Sequence, residues 1–198
     1  MKVIVGIGIL LLVAVTLGWG VQQKNAAPVE SGYITINHQG LRMLNGIPFS
    51  GVMITRYANG HVAALEAFEQ GRRHGQTQTW FESGQLAFQA YYQEGVREGL
   101  TESWWFNGNR RSTAVFVNGK AEGEAWQWYR NGNKFKRFNY LAGQPSGLQQ
   151  AWRKNGKLFS NFEYKNGRIF GLRKSNNCVG LEDEKISVDY YRNQAGDA

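Results

Sequence analysis

The side chains able to do chemistry in this chain are few and scattered. Its three histidines, His38, His61 and His74, include no pair at the spacing that brings two imidazoles onto one metal. The three aspartates, Asp183, Asp189 and Asp197, all lie towards the C-terminal end, so the commonest orienting partner of a catalytic imidazole is missing from the rest of the chain. Glu94, Glu98 and Glu102 are close enough in sequence to suggest a general acid and base, but solvated charge is the default for such positions. Cys178 is the single cysteine, so it cannot close an intramolecular disulfide. As a nucleophile it needs an activating base, and Lys174-Ser175-Asn176-Asn177-Cys178-Val179 offers only a nearby cation, which favours burial in a C-terminal cap. Gly6 and Gly8 belong to an apolar run and not to a phosphate loop. These residues point away from an enzyme, and from a bound metal or cofactor.

The elements that position side chains are far better marked. Glycines recur at 51, 75, 99, 123, 147 and 171, an unbroken spacing of 24 residues. A second column holds Gly60, Gly84, Gly108, Gly132 and Gly156, and a third Gly71, Gly95, Gly119, Gly143 and Gly167. Aromatic residues keep the same phase: Trp80, Trp104, Trp128 and Trp152 form one column, with Arg56 the exception, and Phe68, Tyr92, Phe116, Tyr140 and Tyr164 fill another. Residues 51–171 are therefore five repeats.

Asn59, Ser83, Asn107, Asn131 and Asn155 precede the second glycine column, and Asn-Gly supplies the two positive-φ residues of a type I′ turn. The flanking segments, such as 126–129 and 135–140, are aromatic-rich and of strand length, so each repeat is expected to be a β-hairpin. The Gly-x3-Gly pair reads as a tight connection to the next hairpin. A lone hairpin is marginal, so the aromatic columns are expected to cover one another and form the core. The expected fold is all-β: an elongated, single-layer antiparallel sheet of consecutive hairpins.

Residues 3–21 carry no charge over 19 positions, which approaches the ~30 Å of a bilayer core. Residues 1–21 are thus an N-terminal transmembrane anchor, with a cleaved signal segment as the alternative. Trp19 suits an interfacial position, and the short tail with Lys2 is expected to stay cytoplasmic. The remainder would then lie on the outer, periplasmic side of the inner membrane, or be released there after cleavage. Residues 22–32 read as a linker, 33–50 as an N-terminal cap or half-repeat, and 172–198 as a C-terminal cap or tail.

The repeat G-x4-W-x3-G-x7-[FY]-x2-G-x3-G resembles the MORN repeat family, in particular bacterial MORN variants of the YwqK type, often labelled antitoxin-like. Asn45-Gly46-Ile47-Pro48-Phe49-Ser50-Gly51 resembles the opening half-repeat of that variant. The period of 24 rather than 23 residues and a degraded Tyr-x-Gly consensus depart from the commonest pattern. The resemblance implies a hairpin sheet used in protein or membrane contact, with no catalytic residues to carry over.

Charge divides the array. Residues 51–122 balance seven basic against seven acidic side chains, whereas 123–171 hold nine basic and two acidic. Arg130, Lys134, Lys136, Arg137, Arg153, Lys154, Lys157, Lys165 and Arg168 are candidates for an anionic partner such as lipid or an envelope polymer, although they fall on both alternating sets of strand positions. A solvated, solubilising surface is the plain alternative. No nucleic-acid partner is expected. The leading expectation is a membrane-anchored scaffold for an unknown protein partner.

Overall fold

The structure, a computed structural model, describes residues 27–172; the apolar segment 1–21, Cys178 and the tail beyond 172 lie outside the described residues. Its strands are β1 (Val29–Glu30), β2 (Ile34–Ile36), β3 (Arg42–Leu44), β4 (Ile47–Pro48), β5 (Gly51–Arg56), β6 (Val62–Glu69), β7 (Arg72–Trp80) and β8 (Leu86–Gln93). They continue as β9 (Val96–Trp104), β10 (Arg110–Val117), β11 (Lys120–Trp128), β12 (Lys134–Leu141), β13 (Gln144–Pro145), β14 (Gly147–Trp152), β15 (Leu158–Lys165) and β16 (Arg168–Leu172). From β5 to β16 the chain is one antiparallel meander of consecutive hairpins, with β1 added parallel to β5 and β13 preceding β14 against β12. β2, β3 and β4 form a separate small sheet.

Two kinds of turn alternate, and they are not where the dipeptides place them. The type I′ pairs, two consecutive residues at positive φ, are Asn45-Gly46, Gln70-Gly71, Glu94-Gly95, Asn118-Gly119, Ala142-Gly143 and Asn166-Gly167. At the Asn-Gly column only the glycine is left-handed, as at Gly60 (φ 86°). There the Tyr57 N–H reaches the His61 carbonyl at 2.8 Å and the Gly60 N–H the Tyr57 carbonyl at 2.9 Å. This is the three-residue loop closed by a bulge, and the register accordingly shifts between Thr55 and Arg56. The asparagine serves as an acceptor instead: Asn59 Oδ1 takes the His61 N–H at 3.0 Å, and Asn131 Oδ1 the Asn133 N–H at 3.1 Å. The Gly-x3-Gly pair is the tight connection expected, an I′ turn followed by the start of the next strand. Its second glycine faces the aromatic column across the sheet, as in Gly75↔Tyr92 and Gly99↔Phe116.

Strand alternation puts the two aromatic columns on opposite faces, so they cannot cover each other. Trp80, Trp104, Trp128 and Trp152 share one face, and Phe68, Tyr92, Phe116, Tyr140 and Tyr164 the other. The tryptophan column is half-buried throughout, and of the predicted core aromatics only Phe68 is buried. The most buried column is one that the periodicity leaves unmarked: Met53, Thr77, Thr101, Ala125 and Gln149, mid-strand on the tyrosine face. Position rather than size explains this, since Met53 and Gln149 are as buried as Thr77, Thr101 and Ala125, and all five sit mid-strand between flanking strands.

The N-terminal cap is more structured than a tether and half-repeat suggest. Residues 29–32, read as linker, form β1 and the start of a 3-10 turn, Ser31–Tyr33. Glu30 accepts from Arg56 Nε at 2.9 Å, which explains why arginine replaces tryptophan at that one position: its outer neighbour is β1. The small sheet docks through Arg42 N–H to the Gly71 carbonyl (2.9 Å) and Gly71 N–H to the Phe49 carbonyl (2.7 Å). A Cβ at Gly71 would sit 2.8 Å from the Arg42 carbonyl oxygen, so only glycine fits. Phe49, Met53 and Phe68 form the core cluster here, with Val29, Ile34 and Leu44 packed on it.

Side chains tie each bulged turn to the next. Tyr57 donates its hydroxyl to the Trp80 carbonyl at 2.7 Å, Trp105 Nε1 donates to the Trp128 carbonyl at 3.0 Å, and Tyr129 donates to the Trp152 carbonyl at 2.9 Å. Phe81 holds the same position in the second repeat and has no donor to offer. Phe81→Tyr is therefore expected to raise stability by about 0.5–1.5 kcal/mol and Tyr129→Phe to lower it by a similar amount, both read by thermal unfolding. Opposite signs for the two variants are the diagnostic result; a destabilised Phe81→Tyr chain would refute the ladder.

Candidate binding surfaces

The tryptophan face is built from every second residue of β5–β16. Its central row runs across the sheet through Ile54, Leu65, Gln78, Gln89, Glu102, Thr113, Trp126, Arg137, Gln150 and Asn161. Parts of the row are zipped by side-chain bonds, Gln78 Nε2 to Gln89 Oε1 at 3.1 Å and Gln150 Nε2 to Asn161 Oδ1 at 3.2 Å. Trp126 breaks the polar row. Its ring stacks at 5.9 Å on Trp152 and at 6.1 Å on Trp128, with Lys134 Nζ 5.2 Å and Arg137 Cζ 5.6 Å from its centroid. Glu124 accepts from Trp126 Nε1 at 2.9 Å and is ion-paired with Arg137. The Arg137 guanidinium, and then the Trp126 indole, hold the Glu124 carboxyl below its ordinary range.

Next to this cluster the same face exposes apolar side chains. Tyr91 and Leu100 are each 45 % exposed, Val115 40 % and Val117 44 %. Leu100 is paired directly with Val115 across β9 and β10, and Tyr91 lies on the adjoining β8. On the tyrosine face the rings are at least half-buried and arginines lie over them: Arg97 Cζ sits 4.7 Å from the Phe116 centroid and 5.7 Å from that of Tyr92. Burial pushes the Tyr140 hydroxyl pKa up.

The nine candidate cations do not share a face. Lys134 and Arg137 meet at Trp126, whereas Lys136 is on the tyrosine face, its Nζ 5.8 Å from the Phe138 centroid. Arg130, Arg153, Lys154 and Lys157 line the edge of the sheet formed by the bulged turns. Lys165 and Arg168 flank the opposite edge, at a depression of about 620 Å³ shared with Glu163, Asn166 and Phe170. The sequence reading missed two cations at the bulged-turn edge. Arg111 lies 4.8 Å over Trp105, and Arg110 pairs with Glu102 at 3.1 Å. Both are hidden by the neutral balance of the first three repeats, although Arg110 stands one period before Lys134.

The residues that suggested chemistry have other work. Glu98 Oε2 accepts the Asn118 N–H at 2.7 Å and so fastens the next I′ turn, Glu102 holds Arg110, and Glu94 is itself a turn residue. His61 Nδ1 is 2.9 Å from the Glu82 carbonyl oxygen, His74 Nδ1 is 3.2 Å from Glu69 Oε2, and His38 is exposed in a turn. Among the described residues no three of His, Cys, Asp and Glu gather as a metal site. Among them, too, no helix is long and apolar enough to cross a membrane, and the segment expected to do so lies outside them.

Residues 73–94 match the family model of the MORN repeat variant. The match covers nearly all of one hairpin, β7 with β8, and so supports the MORN repeat family for the unit that recurs here. The chain matches no curated protein.

Because Arg137 is the main cause of the lowered Glu124 pKa, Arg137→Gln is expected to move the Glu124 titration midpoint up towards the ordinary carboxylate range, as followed by carboxyl-carbon NMR. The sign for stability follows. The pair contributes above the unfolded-state pKa and its contribution is lost as pH falls through the lower folded value, so Glu124→Gln should flatten the acid limb of the stability curve. The effect is small because Glu124 is 44 % exposed. An unchanged midpoint in Arg137→Gln would contradict the pairing.

Proposed function

We propose that this chain is a non-enzymatic scaffold of MORN-type hairpins, held at the cell envelope by residues 1–21, that binds a protein partner through the tryptophan face of its second to fourth repeats. One observation carries the proposal: large exposed apolar side chains in the sheet, Tyr91, Leu100, Val115 and Val117, collect on that face beside the Trp126 cluster. An open sheet has no reason of its own to leave a paired Leu100 and Val115 in water, and contiguous exposed apolar surface marks interaction sites. Scattered cations favour this over a flat anionic lipid surface, which needs its basic side chains on one side. A YwqK-type, inhibitor-like role towards one partner is a narrower form of the same proposal. Periplasmic exposure belongs to the proposal as well, through the cytoplasmic placement of Lys2.

The test is crosslinking in intact envelope followed by recovery of the full chain. Leu100→Asp combined with Val115→Asp is expected to lose at least ~2 kcal/mol of partner affinity while thermal unfolding stays close to the parent. Gln39→Asp, exposed in the turn between β2 and β3 of the small sheet, should leave recovery unchanged. Equal recovery from the double variant and the parent would sink the assignment of this face.

A further inference from the structure

The bulged turns line one edge of the sheet, and those of the third to fifth repeats close consecutive hairpins of the strand order β9-β10-β11-β12-β14-β15. The charged side chains of the segments 105–111, 129–134 and 153–158 are all cations. One position recurs from turn to turn as Glu82, Phe106, Arg130 and Lys154. Phe106 is 55 % exposed, and Arg130 and Lys154 are exposed and, among the described residues, have no carboxylate at ion-pair distance. The Arg130 guanidinium lies 4.8 Å over the Phe106 ring, and beside it Arg111 lies 4.8 Å over Trp105. Side-chain amides fix the turns to one another: Asn107 Nδ2 and Asn109 Nδ2 both donate to the Arg130 carbonyl at 2.8 Å, and Asn133 Nδ2 donates to the Lys154 carbonyl at 2.8 Å. The same bonds engage the carbonyl oxygens of both cationic residues, which lowers the repulsion an anion would meet there.

Consecutive turns stand two strands apart, about 9.4–9.8 Å, so a chain that answers Phe106, Arg130 and Lys154 in turn must repeat its side chains at that pitch. A β-strand returns to one side every ~6.6–6.8 Å. An α-helix does so every ~5.4 Å or, over two turns, ~10.8 Å, and a helix also wants an apolar groove. A polyproline II chain returns every third residue, ~9.3 Å, and matches. The exposed Phe106 ring favours a peptide over a bare phosphate polymer, which would leave the ring in water, and a row one turn wide is a line rather than the plane that a bilayer presents. We propose that this edge binds an acidic peptide segment in the polyproline II form, with carboxylates three residues apart on Arg130 and Lys154 and an apolar residue three further on against Phe106. Glu82, one pitch beyond Phe106, ends the strip and repels a further carboxylate. The inference goes beyond the partner assigned to the tryptophan face, because Leu100 and Val115 take no part in it.

Fluorescence anisotropy of labelled peptides on the full chain, held in a neutral detergent at low salt, tests it. The probes are Leu-Pro-Pro-Glu-Pro-Pro-Glu, its reversed sequence, because a polyproline helix can run either way along the edge, and an isomer of the same composition with the two glutamates adjacent. The better of the two directions should bind about threefold more tightly than the isomer, the worth of one exposed ion pair, and should weaken as salt rises. Arg130→Glu combined with Lys154→Glu should weaken that binding at least about tenfold, through lost pairs and new repulsion. The double variant should instead take the peptide with lysine in place of both glutamates, which separates reversed charge from a damaged fold. Equal affinity of the spaced peptide and the isomer would overturn the proposal, since charge would then act without pitch. Undiminished affinity in the double variant, or its failure to take the lysine peptide, would overturn it too. Binding of inorganic polyphosphate or of phosphatidylglycerol vesicles that is lost in the double variant, with no peptide bound by the parent, would overturn it in favour of a phosphate-bearing ligand.

Discussion

A sheet one layer thick cannot hide its side chains, and among the described residues no large side chain is fully buried. Stability and register must then come from what does not need a second layer: the backbone ladder, the turns that set its phase, and side chains reaching from one hairpin to the next. The positive-φ pair that closes each I′ turn fixes the register of the strands leaving it, and a slip of one residue would exchange the two faces. The second set of turns is held differently, by an asparagine acceptor within the loop and by Tyr57, Trp105 and Tyr129 donating into the following repeat. Every surface described above is a consequence of that register.

The period of 24 residues made the hairpin sheet legible, because three glycine columns in phase leave little choice of element. What the sequence concealed was which turn is which. Asn-Gly suits a I′ pair and also a bulged loop in which the asparagine stays at negative φ and accepts a hydrogen bond, and only the backbone decides between them. The true I′ pairs include Gln70-Gly71, Glu94-Gly95 and Ala142-Gly143, whose first residues carry no such preference and are held at positive φ by the hairpin closing around them. The aromatic columns were visible, but their placement on opposite faces depends on counting strand parity through the bulges. Likewise the buried column of Met53, Thr77, Thr101, Ala125 and Gln149 shares a location and no chemistry, so no pattern of residue types could reveal it.

The candidate surfaces follow the same division. The charge excess of the last two repeats was legible as a sum, but the sum does not say that Lys136 and Arg137 point to opposite sides while Arg111 joins the turn edge of later repeats. The two faces now differ in kind. One has half-buried rings with arginines lying over them and a floor of buried mid-strand residues, and the other offers exposed apolar side chains beside a cation-tipped tryptophan cluster. Function is assigned to the second because its apolar surface is left in water, whereas rings on the first are covered by their own chain.

Tyr91 and Tyr92 are consecutive, chemically identical and on opposite faces, so hydroxyl-radical footprinting of this one pair reads the central claim directly. In the isolated chain Tyr91, 45 % exposed, is expected to be oxidised well ahead of half-buried Tyr92, and in intact envelope Tyr91 alone should become protected. Equal oxidation of the two in the isolated chain would contradict the assignment of faces, and protection of Tyr92 rather than Tyr91 in the envelope would contradict the assignment of the binding surface.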